Sequence, residues 1–164
     1  MIVLGIDPGA SGGLALLDMS FGGSTARVLA VTKLPETERD IWDWIYSSRI
    51  RKREFDNHPC DFDRFAVIEH VHSMPKQGVA SSFKFGRSYG FLRGCLIASG
   101  IPFTEVTPQK WQKALSCMSK GDKNVTKARA QQLFPDVKVT HAVADALLLA
   151  YYGRFVHQPS TPGA

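Results

Sequence analysis

The chain has 164 residues, 44% of them apolar and 21% charged, with 14 Gly and 9 Pro spread along it. That size supports one domain with a real core, and the composition excludes a disordered, collagenous or coiled-coil protein. Lys and Arg number 20 against 15 for Asp and Glu, a formal charge of +5 that favours an anionic partner such as nucleic acid. The three cysteines, Cys60, Cys95 and Cys117, are odd in number and irregular in spacing. They indicate neither a disulfide framework nor a CxxC zinc site, and a reducing compartment suits them. The apolar start is short, lacks a basic lead and runs straight into Asp7, unlike a secretory signal. No window approaches the roughly 18 to 20 apolar residues of a membrane span, so a cytoplasmic protein without a membrane partner is expected.

Met1 to Ile6 is an apolar run ended by Asp7-Pro8-Gly9, which reads as a buried strand delivering Asp7 at its C-terminal end. Gly12–Asp18 and Ala26–Thr32 follow Gly/Ser turns and continue an antiparallel meander. The period then changes. Ile41, Trp44 and Ile45 recur at helical spacing between Pro35 and Arg53, after an acidic first turn and before a basic end at Arg49, Arg51, Lys52 and Arg53. Phe65–Ile68 reads as a central strand delivering Glu69, and residues 73–79 read as a loop.

Ser81–Ser99 is predicted helical and stopped by Gly100, with Gly86, Gly90 and Gly94 on one face that permits close approach of another backbone. Lys84, Arg87 and Arg93 on the same segment exclude a membrane helix. Ile101–Val106 is a further strand, Thr107-Pro108 opens a short helix to Leu115, and residues 116–124 form a polar, basic loop. Val125–Phe134 is a helix ended by Pro135, and Thr140 caps a last helix from His141 to about Phe155. Residues 1–156 make one domain, and the tail 157–164 is expected to be disordered.

Two strands from different parts of the chain thus each end in a carboxylate, and the last helix carries another, Asp145, one turn after His141. Side by side in one sheet, the strands of Asp7 and Glu69 bring both acids to its C-terminal edge, where α/β sites form. His141 and Asp145 are four apart and share a helix face. Three carboxylates and an imidazole make an oxygen-rich site for Mg2+ or Mn2+, and the carboxylates repel one another without cations. A pair of such ions about 4 Å apart activates water and stabilises the leaving oxygen of a phosphodiester, which is nuclease chemistry. Other readings stay open at single positions: Asp7 also suits a turn, Glu69 a solvated strand end, and His141 a surface or capping position. Asp145, set among Ala144, Ala146, Leu147, Leu148 and Leu149, needs a partner.

The segments Ile2-Val3-Leu4-Gly5-Ile6-Asp7-Pro8-Gly9, Phe65-Ala66-Val67-Ile68-Glu69 and Ala144-Asp145-Ala146-Leu147-Leu148-Leu149-Ala150 resemble the signature segments of RuvC-type Holliday junction resolvases, within the RNase H-like superfamily. Their order and spacing agree across nearly the whole chain. The resemblance implies an α/β, RNase H-like fold: a mixed five-stranded sheet, its first three strands antiparallel, flanked by helices. It further implies a homodimer in a bacterial or phage-infected cell that resolves four-way DNA junctions by paired symmetric nicks. Two Mg2+ ions per site would serve, with Mn2+ as a substitute. Asp7, Glu69 and Asp145 match the family's first, second and last catalytic acids, and Lys123 loosely matches a basic residue near the scissile phosphate.

The chain departs from the family pattern at two points. Ala142 stands where members commonly carry a fourth acid, which makes His141 the candidate fourth metal ligand. His72 stands where an aromatic often stacks on junction bases. With His72, the expected DNA contacts are Lys76, Lys84, Arg87, Arg93, Lys120, Lys123 and Lys127, and several phosphate contacts together make binding salt-dependent. Basic residues on polar helix faces are also commonly just solvated. Phe83, Phe85, Tyr89 and Phe91 suit base stacking, but equally core or a dimer interface. Alternative functions are a nuclease on flaps or RNA–DNA hybrids, and a catalytically silent junction-binding module. The Asp-Pro-Gly turn is also similar to the start of actin-like sugar kinases, but those need a second domain. The chain has no GxxxxGK[ST] loop either, so no nucleotide cofactor is expected.

Overall fold

The apolar run at the start of the chain forms β1 (Ile2–Asp7), the middle strand of a five-stranded sheet. The structure, a computed structural model, describes residues 1–20, 26–50, 64–70 and 78–156. The remaining strands are β2 (Gly13–Asp18), β3 (Arg27–Lys33), β4 (Arg64–Glu69) and β5 (Phe103–Val106), in the order β3-β2-β1-β4-β5. β1 pairs antiparallel with β2, and β2 antiparallel with β3, while β4 runs parallel to both β1 and β5. The sheet is therefore mixed, with an antiparallel meander leading into two parallel strands. The helices are α1 (Glu38–Ile50), α2 (Val79–Ala98), α3 (Pro108–Ala114), α4 (Lys123–Leu133) and α5 (His141–Tyr152), followed by a 3-10 turn at Gly153–Phe155.

Alternation along the strands sorts the core into two layers. Ile2, Leu4 and Ile6 of β1, with Leu14, Leu16, Ala66 and Ile68, pack against Ile41, Ile45, Leu92 and Leu96 of α1 and α2. Val3, Ala15, Leu17 and Val67 face the other way, onto Trp111 of α3, Ala130 of α4 and the buried length of α5. Both faces of β1 and β2 are covered, which is why these strands read as unbroken apolar runs. Val143, Ala144 and Ala146–Tyr152 are all buried, so α5 is apolar nearly all round and lies between the sheet and α3 and α4.

α5 reaches the sheet through missing side chains. A Cβ on Gly5 would lie 2.1 Å from the Ala146 carbonyl oxygen and 2.4 Å from the Ala150 nitrogen. One at Gly13 would lie 2.4 Å from the Ala142 carbonyl oxygen. Small residues four apart on α5 thus meet glycines on β1 and β2, and backbone touches backbone.

The sequence-based expectations hold for type and order of element, with three local differences. Gly86, Gly90 and Gly94 meet no neighbour where a Cβ would stand, so the face they share on α2 is open to solvent. Thr140 occupies the N-cap position of α5 but makes no side-chain cap bond. α4 starts at Lys123, inside the expected loop, because the Asp122 side chain accepts the Asn124 N–H at 2.9 Å and caps it there. Gly100 does end α2, at φ +64°, a conformation that L side chains rarely adopt. Cys95 and Cys117 are buried and free. Among the described residues no helix is long and apolar enough to cross a membrane. His72, Lys76, Cys60, the Arg51–Arg53 run and the tail 157–164 lie outside the described residues.

Candidate active site

Strand parity places the acids. Asp7 follows Val3 and Gly5 on the α5 side of β1, and Glu69 follows Phe65 and Val67 on the same side of β4. β1 and β4 run parallel and in register to the pair Ile6 and Ile68, so Asp7 and Glu69 come one residue later on neighbouring strands. α5 crosses this face against Gly5, and Asp145 sits one residue before Ala146, the contact point. The three acids therefore converge although they come from β1, β4 and α5.

Their electrostatics record the convergence. Burial pushes Asp7 from an ordinary 3.8 up to about 6, opposed by the Gly9 N–H, with Asp145 adding to the rise and Lys123 countering it. Burial likewise pushes Glu69 from 4.5 up to about 7; Asp7 and Asp145 raise it further, while Trp111 and Lys123 act against the rise. Asp145 is also raised, chiefly by burial, against a hydrogen bond from Thr126 and the charges of Lys123 and His141. Asp7 feels Asp145, Glu69 feels both, and all three feel Lys123.

Contacts with the rest of the protein fix these groups. Gly9 N–H donates to Asp7 Oδ1 at 3.0 Å, and the Trp111 indole Nε1–H donates to Glu69 Oε1 at 2.9 Å. Lys123 Nζ lies 3.3 Å from Ser11 Oγ in the turn after β1, which brings its ammonium to the rim of the acidic cluster. Asp145 Oδ1 is buried and has no hydrogen-bond partner.

A buried, unpartnered carboxylate oxygen beside two more disfavoured carboxylates is a donor set short of positive charge. Lys123 supplies one cation for three acids. Oxygen-only ligands suit hard divalent ions such as Mg2+ or Mn2+, so these residues fit such an ion chemically. Among the described residues no three His, Cys, Asp or Glu side chains form a ready-made cage for one ion. The acids sense one another's charge without being closed around a single point.

Of the other residues singled out from sequence, His141 is exposed at the start of α5 and acts on Asp145 alone among the three acids. Lys84 lines a cavity of about 280 Å³ with Pro8, Gly9 and Ala10, next to the Asp7 turn. Arg87 is ion-paired with Glu38 at 2.8 Å. Arg93 pairs with Glu105 at 2.8 Å and lies over the rings of Tyr89 and Phe103. Lys120 is exposed in the turn before α4, and Lys127 is half-buried on α4. The sequence did not single out Trp111 or Thr126. A tryptophan at helical spacing reads as core, and only its long-range bond to Glu69 shows otherwise.

No protein-family model and no curated protein sequence matches the chain. Solved structures do. A Thermus thermophilus RuvC structure shares 21% identity with it over 94% of each chain, with a TM-score of 0.63. T. thermophilus RuvC in complex with a Holliday junction substrate matches at 21% identity and a TM-score of 0.62, covering 94% of this chain and 93% of that one. The strand order, the five helices and this likeness over almost the full length agree: the chain has a RuvC-like, RNase H-like fold.

Proposed function

We propose that the protein is a divalent-metal-dependent endonuclease that resolves four-way DNA junctions. The observation that carries this reading is the meeting of Asp7, Glu69 and Asp145 at one sheet edge, all buried enough to resist ionisation and one with an unpartnered oxygen. The fold is that of a protein whose solved structures include a complex with a Holliday junction substrate.

Asp7, Glu69 and Asp145 are the residues that would hold Mg2+ or Mn2+, with His141 as a further candidate beside Asp145. Held there, such ions would supply the Lewis acidity needed to activate water and stabilise the leaving oxygen of a phosphodiester displacement. The chain's own groups do the rest. Lys123, exposed at the rim, attracts the scissile phosphate, while the Gly9 and Trp111 N–H groups keep two of the acids in place. Lys84 beside the Asp7 turn, with Lys120 and Lys127, extends a basic surface along which the DNA backbone lies. A homodimer supplies two such sites for paired nicks. It is supported by one stripe of α2 on which Val79, Phe83 and Ile97 are exposed beside the open Gly86, Gly90 and Gly94.

The test is cleavage of a synthetic four-way junction in Mg2+, with Asp7→Asn as control. Two symmetric nicks with ligatable ends are expected from the wild type. Asp7→Asn should cut at least about a thousandfold more slowly, since the acid's role is to hold charge in the transition state, and should bind the junction equally well. Equal rates on junction, flap and RNA–DNA hybrid would remove junction selectivity. Junction binding by the wild type without metal-dependent nicking would make the protein a binding module.

A further inference from the structure

Each of the three carboxylates takes a hydrogen bond from the protein. For Asp7 the donor is Gly9 N–H, two residues on in the same turn. For Asp145 it is the Thr126 hydroxyl, which also donates to the Lys123 carbonyl at 3.3 Å. The bond to Glu69 is of another kind. Its donor is a side chain 42 residues away, and that side chain is Trp111, which is 0% exposed and among the largest fully buried groups of the protein.

An indole N–H only donates, and a buried one needs an acceptor. Trp111 is packed in the α5-side core with Val67 of β4, so its ring has no freedom to follow Glu69. Glu69, at the end of its strand, has three rotatable side-chain bonds and only partial burial. The rigid partner therefore dictates to the flexible one. Oε1 is taken by the indole, and among the described residues no hydrogen bond is made to Oε2.

We propose that Trp111 is a positioning residue whose indole N–H holds Glu69 in one rotamer and leaves Oε2 as the single oxygen that Glu69 offers to a divalent cation. The proposal rests on the reading of the acids as a metal site. Donors to the far oxygen of a ligating carboxylate orient it, and their loss weakens metal binding by about 10- to 100-fold. Trp111→Phe removes the donor together with part of the ring, so its effect is read against the Glu69→Gln background, which separates the two losses.

Two measurements test this without relying on cleavage. In a 15N spectrum the chain has three indole signals, from Trp42 and Trp44 on α1 and from Trp111. Mg2+ should move the Trp111 signal and leave the other two in place, and Glu69→Gln should abolish the movement. By calorimetry with Mn2+, Trp111→Phe should bind about 10- to 100-fold more weakly than wild type. In the Glu69→Gln background Trp111→Phe should cost nothing further, whereas a residue acting only through packing would add its full effect to that of Glu69→Gln. An unchanged Mn2+ affinity in folded Trp111→Phe, additive losses, or a Trp111 signal indifferent to saturating Mg2+ overturns the positioning role. If Trp111→Phe does not fold, the wild-type spectrum decides. A wild type that takes up no Mn2+ overturns the metal-site reading itself, and this proposal with it.

Discussion

At the scale of single residues, the fold keeps carboxylates where it disfavours their charge. Asp7 and Glu69 titrate near 6 and 7 in the folded chain against 3.8 and 4.5 without it, so the folded state binds their protons more tightly than the unfolded state. Stability from these groups is then full below about pH 4 and falls as pH rises through 6 to 7. We expect the metal-free protein to lose several degrees of Tm between pH 5 and pH 8 relative to an Asp7→Asn, Glu69→Gln double variant. Mg2+ should restore the difference at pH 8 and do little at pH 5. A wild type and double variant with parallel Tm profiles would contradict the burial described for these acids. The acids themselves were legible in the sequence because each breaks a pattern: two end apolar strands, and one interrupts an apolar helix. Trp111 and Thr126 break none, and their role is visible only once distant elements are packed together.

Among the elements, α5 governs the site because it carries Asp145 across the sheet at backbone contact distance. The contact depends on Gly5, whose missing Cβ leaves room for the Ala146 carbonyl and the Ala150 nitrogen. Both are helix backbone and cannot swing aside. Gly5→Ala should therefore destabilise the protein by about 1 to 3 kcal/mol, read by urea denaturation. At temperatures where the variant stays folded, it should also lose nicking activity, because lifting α5 withdraws Asp145 from Asp7. Gly5→Ala with wild-type stability would mean that helix and sheet are farther apart than described. The sequence analysis read close approach at one place, and the structure has it at another. Gly86, Gly90 and Gly94 on α2 are open, whereas the quieter spacing of Ala142, Ala146 and Ala150 marks the face that meets the sheet. Four-residue spacing of small side chains shows that a face can be approached; which surface approaches it depends on topology, and that is not local information.

For the molecule as a whole, a mixed five-stranded sheet with its first three strands antiparallel and helices flanking it follows from apolar patterning together with the resemblance to RuvC-type resolvases, whereas the strand order and the two helical layers come from the structure. The charge distribution did not follow. Arg87 and Arg93, equal to the lysines on a sequence count, are joined to Glu38 and Glu105, which leaves Lys84, Lys120, Lys123 and Lys127 as the stronger candidates for phosphate contact. Lys84→Ala should thus weaken junction binding and flatten its dependence on log salt by about one unit, while Arg87→Ala changes the slope less.

Paired nicking, if the protein is the resolvase proposed above, would make the further demand that two sites act on one junction. The candidate surface for a dimer is on α2: Val79, Phe83 and Ile97 are 88%, 73% and 67% exposed on one stripe, and the glycines between them leave room for a second backbone to come close. Phe83 contributes little to the fold at that exposure, so Phe83→Glu should leave Tm almost unchanged. In a dimer packed along this stripe it would bury two like charges at the contact, and sedimentation should show a monomer. The monomer keeps Asp7, Glu69 and Asp145 intact and should still nick, but at single, uncoordinated positions that do not yield ligatable duplexes. A Phe83→Glu protein that stays dimeric and makes symmetric nicks would place the partner on another face.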